Sequence, residues 1–487
     1  MRPTFMGLET ARRGLMVTQK AMDIVGHNIS NRETKGYTRQ RLDTVSMRLY
    51  GGRDTGSAVA MAGQGVDAIG VSQMRNPYLD QQFRKQYSDV GYYDQKAALM
   101  EQLESVISDP EVEGAGIQAA LDDLFKALSS FSSNTSQPAN ANVVMNAFKE
   151  VITILNEYDS GLKNLVERVK SDMKVSVDDF NSTLSQISEL NKAIAKEVFN
   201  NNDYDGVIYG PNELLDDRNV LLDDLSRYGK VEVENNGDGT IDVLVNGHRV
   251  VTGKNSNYGT DKLLINDNTN GLYWQSTGGM ASLGQGALKG YQEVLCGSSQ
   301  SEPGIPYFQE QLDAFAKSLY DTFNNIVYAD DPGDAGAFKK LLQGAEDGTV
   351  TAGSISISDL WLADPSYLIR KNNPDGTGDN ADIGAMKEAL SKDWNIGGFT
   401  GSFSEFIANM TNTLGSSMKN NNTRLEAALA VAETAESNRM SVSGVSLNEE
   451  GINMMSLNKT FQALGRLMTV MDEQLDVIIN QMGLVGR

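Results

Sequence analysis

Apolar residues near the N-terminus recur at helical spacing. Alternating steps of three and four residues separate Leu8, Ala11, Leu15, Thr18, Met22, Val25 and Ile29. This pattern is typical of a helix that packs one apolar stripe against a partner helix. The stripe stops in a polar stretch that ends at Lys35-Gly36, where a helix can end.

A second and more regular stripe lies at the C-terminus. Its nine apolar positions are Met454, Leu457, Phe461, Leu464, Met468, Met471, Leu475, Ile478 and Met482. Ser446 and Glu449 precede it and predict a capping box at the helix start. A lone helix cannot bury such a stripe, so it needs a partner. We therefore predict that the two terminal helices pair as a coiled coil and that copies complete one another; a bundle closed within one chain would use the same residues.

Longer helices are predicted in the middle of the chain. Apolar spacing indicates helices over about 79–107, 117–131, 308–326 and 403–440. The longest stripe runs from Val144 to Val198 without a proline. A helix of about 55 residues would be roughly 80 Å long, whereas ordinary globular helices are much shorter. This length favours a rod of the kind that builds elongated assemblies.

The pattern changes near Asn200 from helical spacing to strands and tight turns. Residues 231–233 and 241–245 alternate in the manner of strands with one buried face. The dipeptides Asn236-Gly237, Asp238-Gly239 and Asn246-Gly247 are strong hairpin signals. A shorter strand signal, Val66, Ala68 and Val71, follows the glycines Gly51, Gly52, Gly63 and Gly65.

Together these elements predict a mainly α, elongated, multi-domain protein with an inserted β-rich domain. The predicted domains are a terminal coiled-coil domain (1–45 and 445–487), a helical rod domain (46–200 and 295–444) and a β-rich outer domain (201–294).

Charge and composition limit the classes of molecule that this chain is expected to bind. The chain has 487 residues and a net charge of −22, which disfavours nucleic acid. Residues 1–41 carry +5, so the remainder carries −27. A basic arm on an acidic body favours contact between copies, although a solvated helix face would have the same charges. No apolar run is long enough for a membrane helix. Residues 1–30 lack the apolar core of a cleavable signal, so if the protein leaves the cytoplasm it needs a route that does not read such a signal.

The sequence offers little for catalysis. A single cysteine, Cys296, excludes a disulfide framework within one chain. The two histidines, His27 and His248, stand in no recognisable catalytic or metal motif. A calcium-loop pattern at 201–212 has Asn at both its first and its twelfth position. We predict no enzymatic activity, no cofactor and no metal, although plentiful carboxylates leave a glycosidase-type pair open.

Four segments carry a family resemblance. They are Asn28-Ile29-Ser30-Asn31 with Gly36-Tyr37-Thr38-Arg39-Gln40, residues 65–79, residues 212–219 leading to 229–233, and residues 443–450. Together they resemble the flagellar hook-associated protein 1 (FlgK) family, the hook–filament junction proteins, over nearly the whole chain. The terminal heptads alone would also fit flagellin or hook protein.

The resemblance implies a structural subunit of the bacterial flagellum, exported by the flagellar type III apparatus and needed for motility. It implies a ring of copies that contacts hook protein and the second junction protein, and an export chaperone on the C-terminal arm. Self-assembly would then fall on the two terminal stripes. Larger family members carry an additional outer domain that we expect this chain to lack, which leaves any outer-surface role open.

Two rival classes remain at this point. One is another axial protein, such as the second junction protein or a flagellin, against which the segments 36–40 and 212–219 argue. The other is a signalling or adhesin rod with a coiled coil closed within one chain. The second rival predicts ordered ends in the free monomer, whereas an axial protein should gain helix on assembly.

Overall fold

A computed structural model of the chain describes residues 5–47, 65–107, 116–133, 138–200, 203–204, 207–254, 258–267, 269–328, 338–369 and 381–481. The chain forms two compact units. The terminal unit comprises residues 1–90, 179–262 and 428–487, and the central unit comprises residues 91–178 and 263–427. The predicted glycines Gly51, Gly52 and Gly63, residues 201, 202, 205 and 206 of the calcium-loop pattern, and Met482 lie outside the described residues.

The fold is mostly helical with small sheets, as the apolar spacing predicts. The helices are α1 (Phe5–Ser30), α2 (Pro77–Ile107), α3 (Ile117–Ser133), α4 (Pro138–Asn200), α5 (Asn212–Tyr228), α6 (Ala287–Cys296), α7 (Ile305–Phe323), α8 (Asp359–Ala363), α9 (Ala381–Ser391), α10 (Phe403–Ser443) and α11 (Leu447–Asp476). A short 3-10 turn, Pro365–Leu368, follows α8, and a π turn, Val477–Gln481, follows α11.

The strands are short and pair mostly in antiparallel fashion. In the terminal unit they are β1 (Gln40–Ser46), β2 (Val66–Gln73), β3 (Asp203–Tyr204), β4 (Val207–Tyr209), β5 (Val231–Asn235), β6 (Ile241–Val245), β7 (His248–Thr252) and β8 (Gly259–Thr260). In the central unit they are β9 (Leu263–Ile265), β10 (Leu272–Trp274), β11 (Ser298–Ser299), β12 (Glu302–Pro303), β13 (Leu342–Gln343), β14 (Ser356–Ile357), β15 (Trp394–Ile396) and β16 (Phe399–Gly401).

Two four-stranded sheets belong to the terminal unit. The first has the order β1-β2-β4-β3 and the second the order β5-β6-β7-β8. The turn between β6 and β7 holds Asn246 at φ 47° and Gly247 at φ 83°. Both angles are positive, as a tight two-residue hairpin turn requires, and this is why the Asn-Gly signal predicted the hairpin correctly.

Helix α4 confirms the long helix that the sequence predicts. It has 63 residues, about 95 Å at the usual rise. Its apolar stripe is buried at every position from Val144 to Phe180, and Val144, Phe148 and Leu165 have no exposed surface. Burial of this stripe supplies the tertiary packing that stabilises a helix of this length.

Aromatic side chains fill the core of the central unit. The Phe148 ring meets the Phe323 ring edge-to-face at 4.8 Å between centroids and the Trp361 ring at 5.3 Å. Phe315 packs edge-to-face on Phe403 at 5.4 Å. Such pairs add to the free energy of simple area burial, so these rings hold α4, α7, α8 and α10 together within this unit.

Several elements depart from the sequence prediction. Strand β1 and helices α6, α8 and α9 were not predicted. Helix α5 and most of helix α6 fall inside 201–294, which was predicted to be β-rich and which contributes residues to both units. The buried face of α5 includes Asn212, Asp216 and Arg218, so its apolar spacing is too weak to indicate a helix. The three-domain division itself stays a prediction.

The aromatic core predicts a large effect of truncation in α4. We expect Phe148→Ala to lower the free energy of unfolding of the central unit by about 3–5 kcal/mol, because it removes the ring and leaves a cavity. Val143→Ala, on the same helix at a position that is 55% exposed, should change it by less than about 0.5 kcal/mol. Urea unfolding followed by tryptophan fluorescence measures both; equal effects would contradict this packing.

Candidate functional site

The turn after α1 depends on a glycine. Gly36 has φ 82°, in the left-handed region that favours glycine. A Cβ at this position would also collide with Val220 Cγ2 of α5. Conformation and close packing both exclude larger residues, so the segment from Gly36 to Gln40 is fixed against α5.

Asn28 is the centre of a buried joint. Only 1% of its surface is exposed. Its Oδ1 accepts hydrogen bonds from Tyr37 Oη at 2.7 Å and from the Gln40 backbone amide at 3.0 Å. Its Nδ2 donates to the Gln40 carbonyl at 2.9 Å and to Glu450 Oε2 at 3.3 Å. The end of α1, the start of β1 and the start of α11 therefore meet at one fully bonded amide.

Arg39 ties the same segment to the start of α11. Its backbone amide donates to the Ser443 carbonyl at 2.9 Å. Its guanidinium lies 2.9 Å from Glu449 Oε2 and 2.5 Å from Glu450 Oε1. Glu450 is 1% exposed, and a buried carboxylate needs such charged partners. The predicted N-cap is confirmed, since Ser446 accepts from the Glu449 amide, but the Glu449 carboxylate pairs with Arg39.

Asp216 of α5 closes the third side of the joint. Its Oδ2 accepts from the Thr38 amide at 3.1 Å and its Oδ1 from Gln73 Nε2 at 2.9 Å. Arg75 Nη1 donates to Thr38 Oγ1 at 3.1 Å. Burial raises the pKa of the Asp216 carboxyl, partly offset by these hydrogen bonds. Burial, reinforced by the charges of Asp216 and Glu450, also raises the pKa of Tyr37.

The structure thus brings the motif residues Asn28, Tyr37, Thr38, Arg39 and Gln40 together in one joint. Asn31 lies beside it, on the turn after α1, where its side chain contacts the His27 ring and donates to the His27 carbonyl.

Helices α1 and α11 run antiparallel and pack closely. A Cβ on Gly7 would lie 2.7 Å from Met471 Cε, and a Cβ on Gly14 would lie 3.0 Å from Leu464 Cδ1. Asn28 reaches Glu450. Each step along α1 is matched by an equal step in the opposite direction along α11. The same face of α1 continues through Ala11, Thr18 and Val25, which are all buried.

The predicted stripe residues occupy several environments. Ala11 and Val25 are buried, whereas Leu8, Leu15, Met22 and Ile29 are half-buried. On α11 and the turn that follows it, Phe461 and Ile478 are exposed. The other described stripe positions of α11 are half-buried: Met454, Leu457, Leu464, Met468, Met471 and Leu475. Their role in self-assembly stays a prediction.

Sequence reasoning missed several residues of this site. Asp216 and Glu450 lie inside the quoted segments 212–219 and 443–450, but nothing in a single sequence shows that both meet residues 28–40. Gly7 and Gly14 have no side chain and so do not contribute to an apolar pattern, although small residues seven positions apart on one helix face permit a close helix contact. Among the described residues, no cluster of three or more potential metal ligands occurs.

Two neighbouring glutamates allow a matched test of the joint. We expect Glu450→Gln to lower the free energy of unfolding of the terminal unit by about 3 kcal/mol or more, since it leaves Arg39 and Asn28 in a buried site without the carboxylate. Glu449→Gln removes a mostly exposed partner of the same arginine and should cost about 0–1 kcal/mol. Hydrogen exchange of α1 and α11 in the assembled protein, where both helices are folded, compares the two variants; equal costs would show that burial of Glu450 is unimportant.

Family models match two parts of the chain. The model described as "Flagellar hook-associated protein FlgK helical domain" matches residues 100–332. The model described as "Flagella basal body rod protein" matches residues 8–38, which include most of α1 and most of the following motif.

Relatives match at full length and in part. The flagellar hook-associated protein 1 of Bacillus subtilis (strain 168) is 29% identical over 518 aligned positions, covering all of both chains. The Escherichia coli (strain K12) protein of the same name is 26% identical over 50% of this chain and 43% of its own length. The flagellar hook junction protein FlgK from Burkholderia pseudomallei shares the fold, with a TM-score of 0.59 at 15% identity, over 74% of this chain and all of that one. On these matches, the chain is similar over its whole length to the flagellar hook-associated protein 1 (FlgK) family.

Proposed function

We propose that this chain is a structural subunit of the bacterial flagellum that joins hook to filament as a ring of copies and supports filament assembly. The observation that carries the proposal is the match over the whole chain to a flagellar hook-associated protein 1. Family proteins of this kind are structural, so the chain is not an enzyme.

The surface of α11 indicates how copies join. Besides the stripe that faces α1, the helix and the turn after it carry Ile452, Met455, Leu467, Val470 and Val477, each between 39% and 62% exposed. At about 100° per residue, Ile452, Met455, Val470 and Val477 fall on the side of the helix away from Met454, Leu457 and Leu464, and Leu467 lies at the edge of that side. Helix α1 covers one side of α11 and leaves the other, here called the outer stripe, in solvent.

A second copy is the occupant that this surface favours. Contiguous exposed apolar surface marks an interaction site, and full burial is worth about 1.5–3 kcal/mol per large apolar side chain, an upper bound where the side chain is already partly covered. A ring requires each subunit to present one surface and receive another. The half-buried Leu8, Leu15 and Met22 on the flank of α1 are suitable receivers.

The terminal helices pair as a coiled coil in this proposal, with the small residues of α1 setting a close approach. We propose further that the two arms stay largely unfolded during export through the type III apparatus and fold when neighbouring copies supply the missing apolar surface. A chaperone bound to the C-terminal arm would cover the outer stripe until then.

Neighbours outside the ring would be hook protein on one side and the second junction protein on the other. The basic N-terminal segment and the acidic remainder of the chain favour contacts between subunits of opposite local charge. None of the helices within the described ranges has the length and apolar character needed to cross a membrane. We place the protein outside the cell, at the hook–filament junction of the flagellum.

A charge on the outer stripe should block assembly and spare folding. We expect Val470→Asp, expressed from the native locus, to give cells that export the protein and build hooks but carry no filaments, because a carboxylate would be buried between copies. Thr469→Asp adds the same charge one residue away and to the side of the stripe, and should leave motility intact. Electron microscopy and swimming assays read the result; normal filaments in the Val470→Asp strain would reject the outer stripe as an interface.

The apolar stripe of α11 that faces α1 can be tested with a second variant. Leu475→Asp should also block junction assembly, here by separating α11 from α1, while the central unit keeps its native tryptophan fluorescence. Normal assembly by Leu475→Asp would contradict a role for helix pairing.

The proposed folding of the arms on assembly can be measured directly. We expect far-ultraviolet circular dichroism to show less helix per residue in the free chain than in assembled flagellar material, with limited proteolysis removing the α1 and α11 segments only from the free chain. Free chains whose ends resist protease would refute the proposal that the arms are unfolded during export.

A further inference from the structure

A cleft of about 380 Å³ lies in the terminal unit. It shares Arg75 with the joint at Asn28 and has no residue in common with the outer stripe. One wall comes from the start of α2 and the segment before it, another from α5, and the third from β5 and β6. Apolar side chains including Leu222 and Ile241 line part of it. The remainder is lined by three arginines, Arg75, Arg84 and Arg218, with Asp80 as the acidic side chain of the lining.

Arg218 is buried without a carboxylate partner. It is 6% exposed. Its Nη1 donates to Asn191 Oδ1 at 2.9 Å and to the Gly239 carbonyl at 2.8 Å. Both acceptors are neutral, and its Nε has no hydrogen-bond partner within the described part of the chain. No carboxylate of the described residues lies within ion-pair distance of this guanidinium.

The other two arginines of the cleft already have counter-charges. Arg75 Nε lies 2.7 Å from Asp80 Oδ2. Arg84 Nε lies 2.7 Å from Asp223 Oδ1, and its Nη2 donates to Asn219 Oδ1 at 3.2 Å. Asp223 is shared with Arg439, which lies 2.5 Å away. The existing carboxylates are committed to these pairs, so the charge of Arg218 is the one left without a counter-charge.

A buried, unpaired charge is costly, and a protein group in this position usually either loses its charge or gains a partner. Burial, with a smaller contribution from the nearby charge of Arg84, lowers the pKa of Arg218 to about 10. Arg218 is therefore still charged at neutral pH. The cleft beside it is the place from which a counter-charge can come.

We infer that this cleft is an oxyanion site, with Arg218 as the principal ligand and Arg84 as the second. Guanidinium groups bind carboxylate and phosphate oxygens through charge-assisted hydrogen bonds, and the volume of the cleft admits either group together with several waters. The oxyanion is either dissolved or the acidic side chain of a neighbouring copy. The second source rests on the proposed function; the first does not.

Asn219 allows a test that keeps the fold. Its side chain lines the cleft and already accepts from Arg84, so Asn219→Asp supplies a permanent carboxylate of the same shape. We expect the melting temperature of the full-length wild-type chain to rise with inorganic phosphate in a saturable manner, by roughly 2–5 °C at tenfold excess over the dissociation constant, compared with chloride at the same ionic strength. Asn219→Asp should melt higher without phosphate and should lose most of the phosphate-dependent rise.

Controls separate this site from general salt effects. Arg249→Gln removes an exposed arginine of β7 and should keep the full phosphate response, whereas Arg218→Gln, if it folds, should lose it. In the wild-type chain labelled with ¹⁵N-arginine, the Arg218 Nε resonance should move with phosphate along the same saturation curve. A response that is equal in wild type and Asn219→Asp, or an Arg218 resonance that does not move, overturns the oxyanion site whatever the chain does in the flagellum.

Filament assembly by the Asn219→Asp variant distinguishes the two possible sources of the oxyanion. If a neighbouring copy supplies the carboxylate, Asn219→Asp should reduce filament number, because its own carboxylate excludes the incoming one. If the anion is dissolved, the same variant should assemble normally while having lost the phosphate response. Either outcome supports the site and identifies its occupant.

Discussion

Helix α11 has more apolar surface than its own chain covers, and this constraint shapes the terminal unit. Close packing on the small residues of α1 covers the side that carries Met454 and Leu464, and the outer stripe stays in solvent. Exposed apolar surface on this scale is unfavourable in a protein that remains monomeric. The similarity to flagellar hook-associated proteins and the proposed ring of copies together give a physical reason for this surface.

The buried joint at Asn28 makes that surface useful, because it fixes where α11 begins. Asn28, Arg39 and Glu450 hold the end of α1 and the start of α11 at one point. Successive contacts between α1 and α11 are separated by equal numbers of residues on the two helices. Fixing one contact therefore sets the antiparallel register over the length of both helices. Polar groups buried in this way are a known means of specifying register. The joint therefore determines which side chains of α11 face α1 and which face outward.

Much of the secondary structure can be predicted from the sequence, because many helices and strands bury one face and their buried positions recur at regular spacing. The unbroken stripe of α4 and the Asn246-Gly247 turn each satisfy a local rule, and the structure confirms both. Helix α5 obeys no such rule, since Asp216 and Arg218 are among its buried residues. Large apolar residues such as Leu8, Leu15 and Met22 indicated the terminal helices, yet α11 also packs closely on Gly7 and Gly14. Both glycines lie on the face of α1 that carries the predicted residues Ala11 and Val25. Glycine has no side chain and is not an apolar position, so the apolar pattern of the sequence does not show its contribution to close helix packing.

The site itself was foreseen only as a group of residues, because its geometry is non-local. Residues 28–40 and 443–450 stand out in the sequence as separate segments. Nothing in a single sequence shows that positions more than 400 residues apart are in contact. The same holds for the cleft beside Arg218, whose walls come from three separated segments. Their chemistry could be recognised only after the fold had brought the charges together.

Methionine oxidation tests the central claim most directly, because Met454 and Met455 are adjacent in sequence and lie on different sides of α11. Met455 is 62% exposed on the outer stripe, while Met454 is half-buried on the side that faces α1. Sulfoxide formation depends on exposure and can be measured by mass spectrometry in free chain and in purified flagella. If copies cover the outer stripe, Met455 should oxidise readily in the free chain and be protected at least several-fold in flagella. Equal oxidation of Met455 in both states would contradict the claim that neighbouring subunits cover this side of the helix.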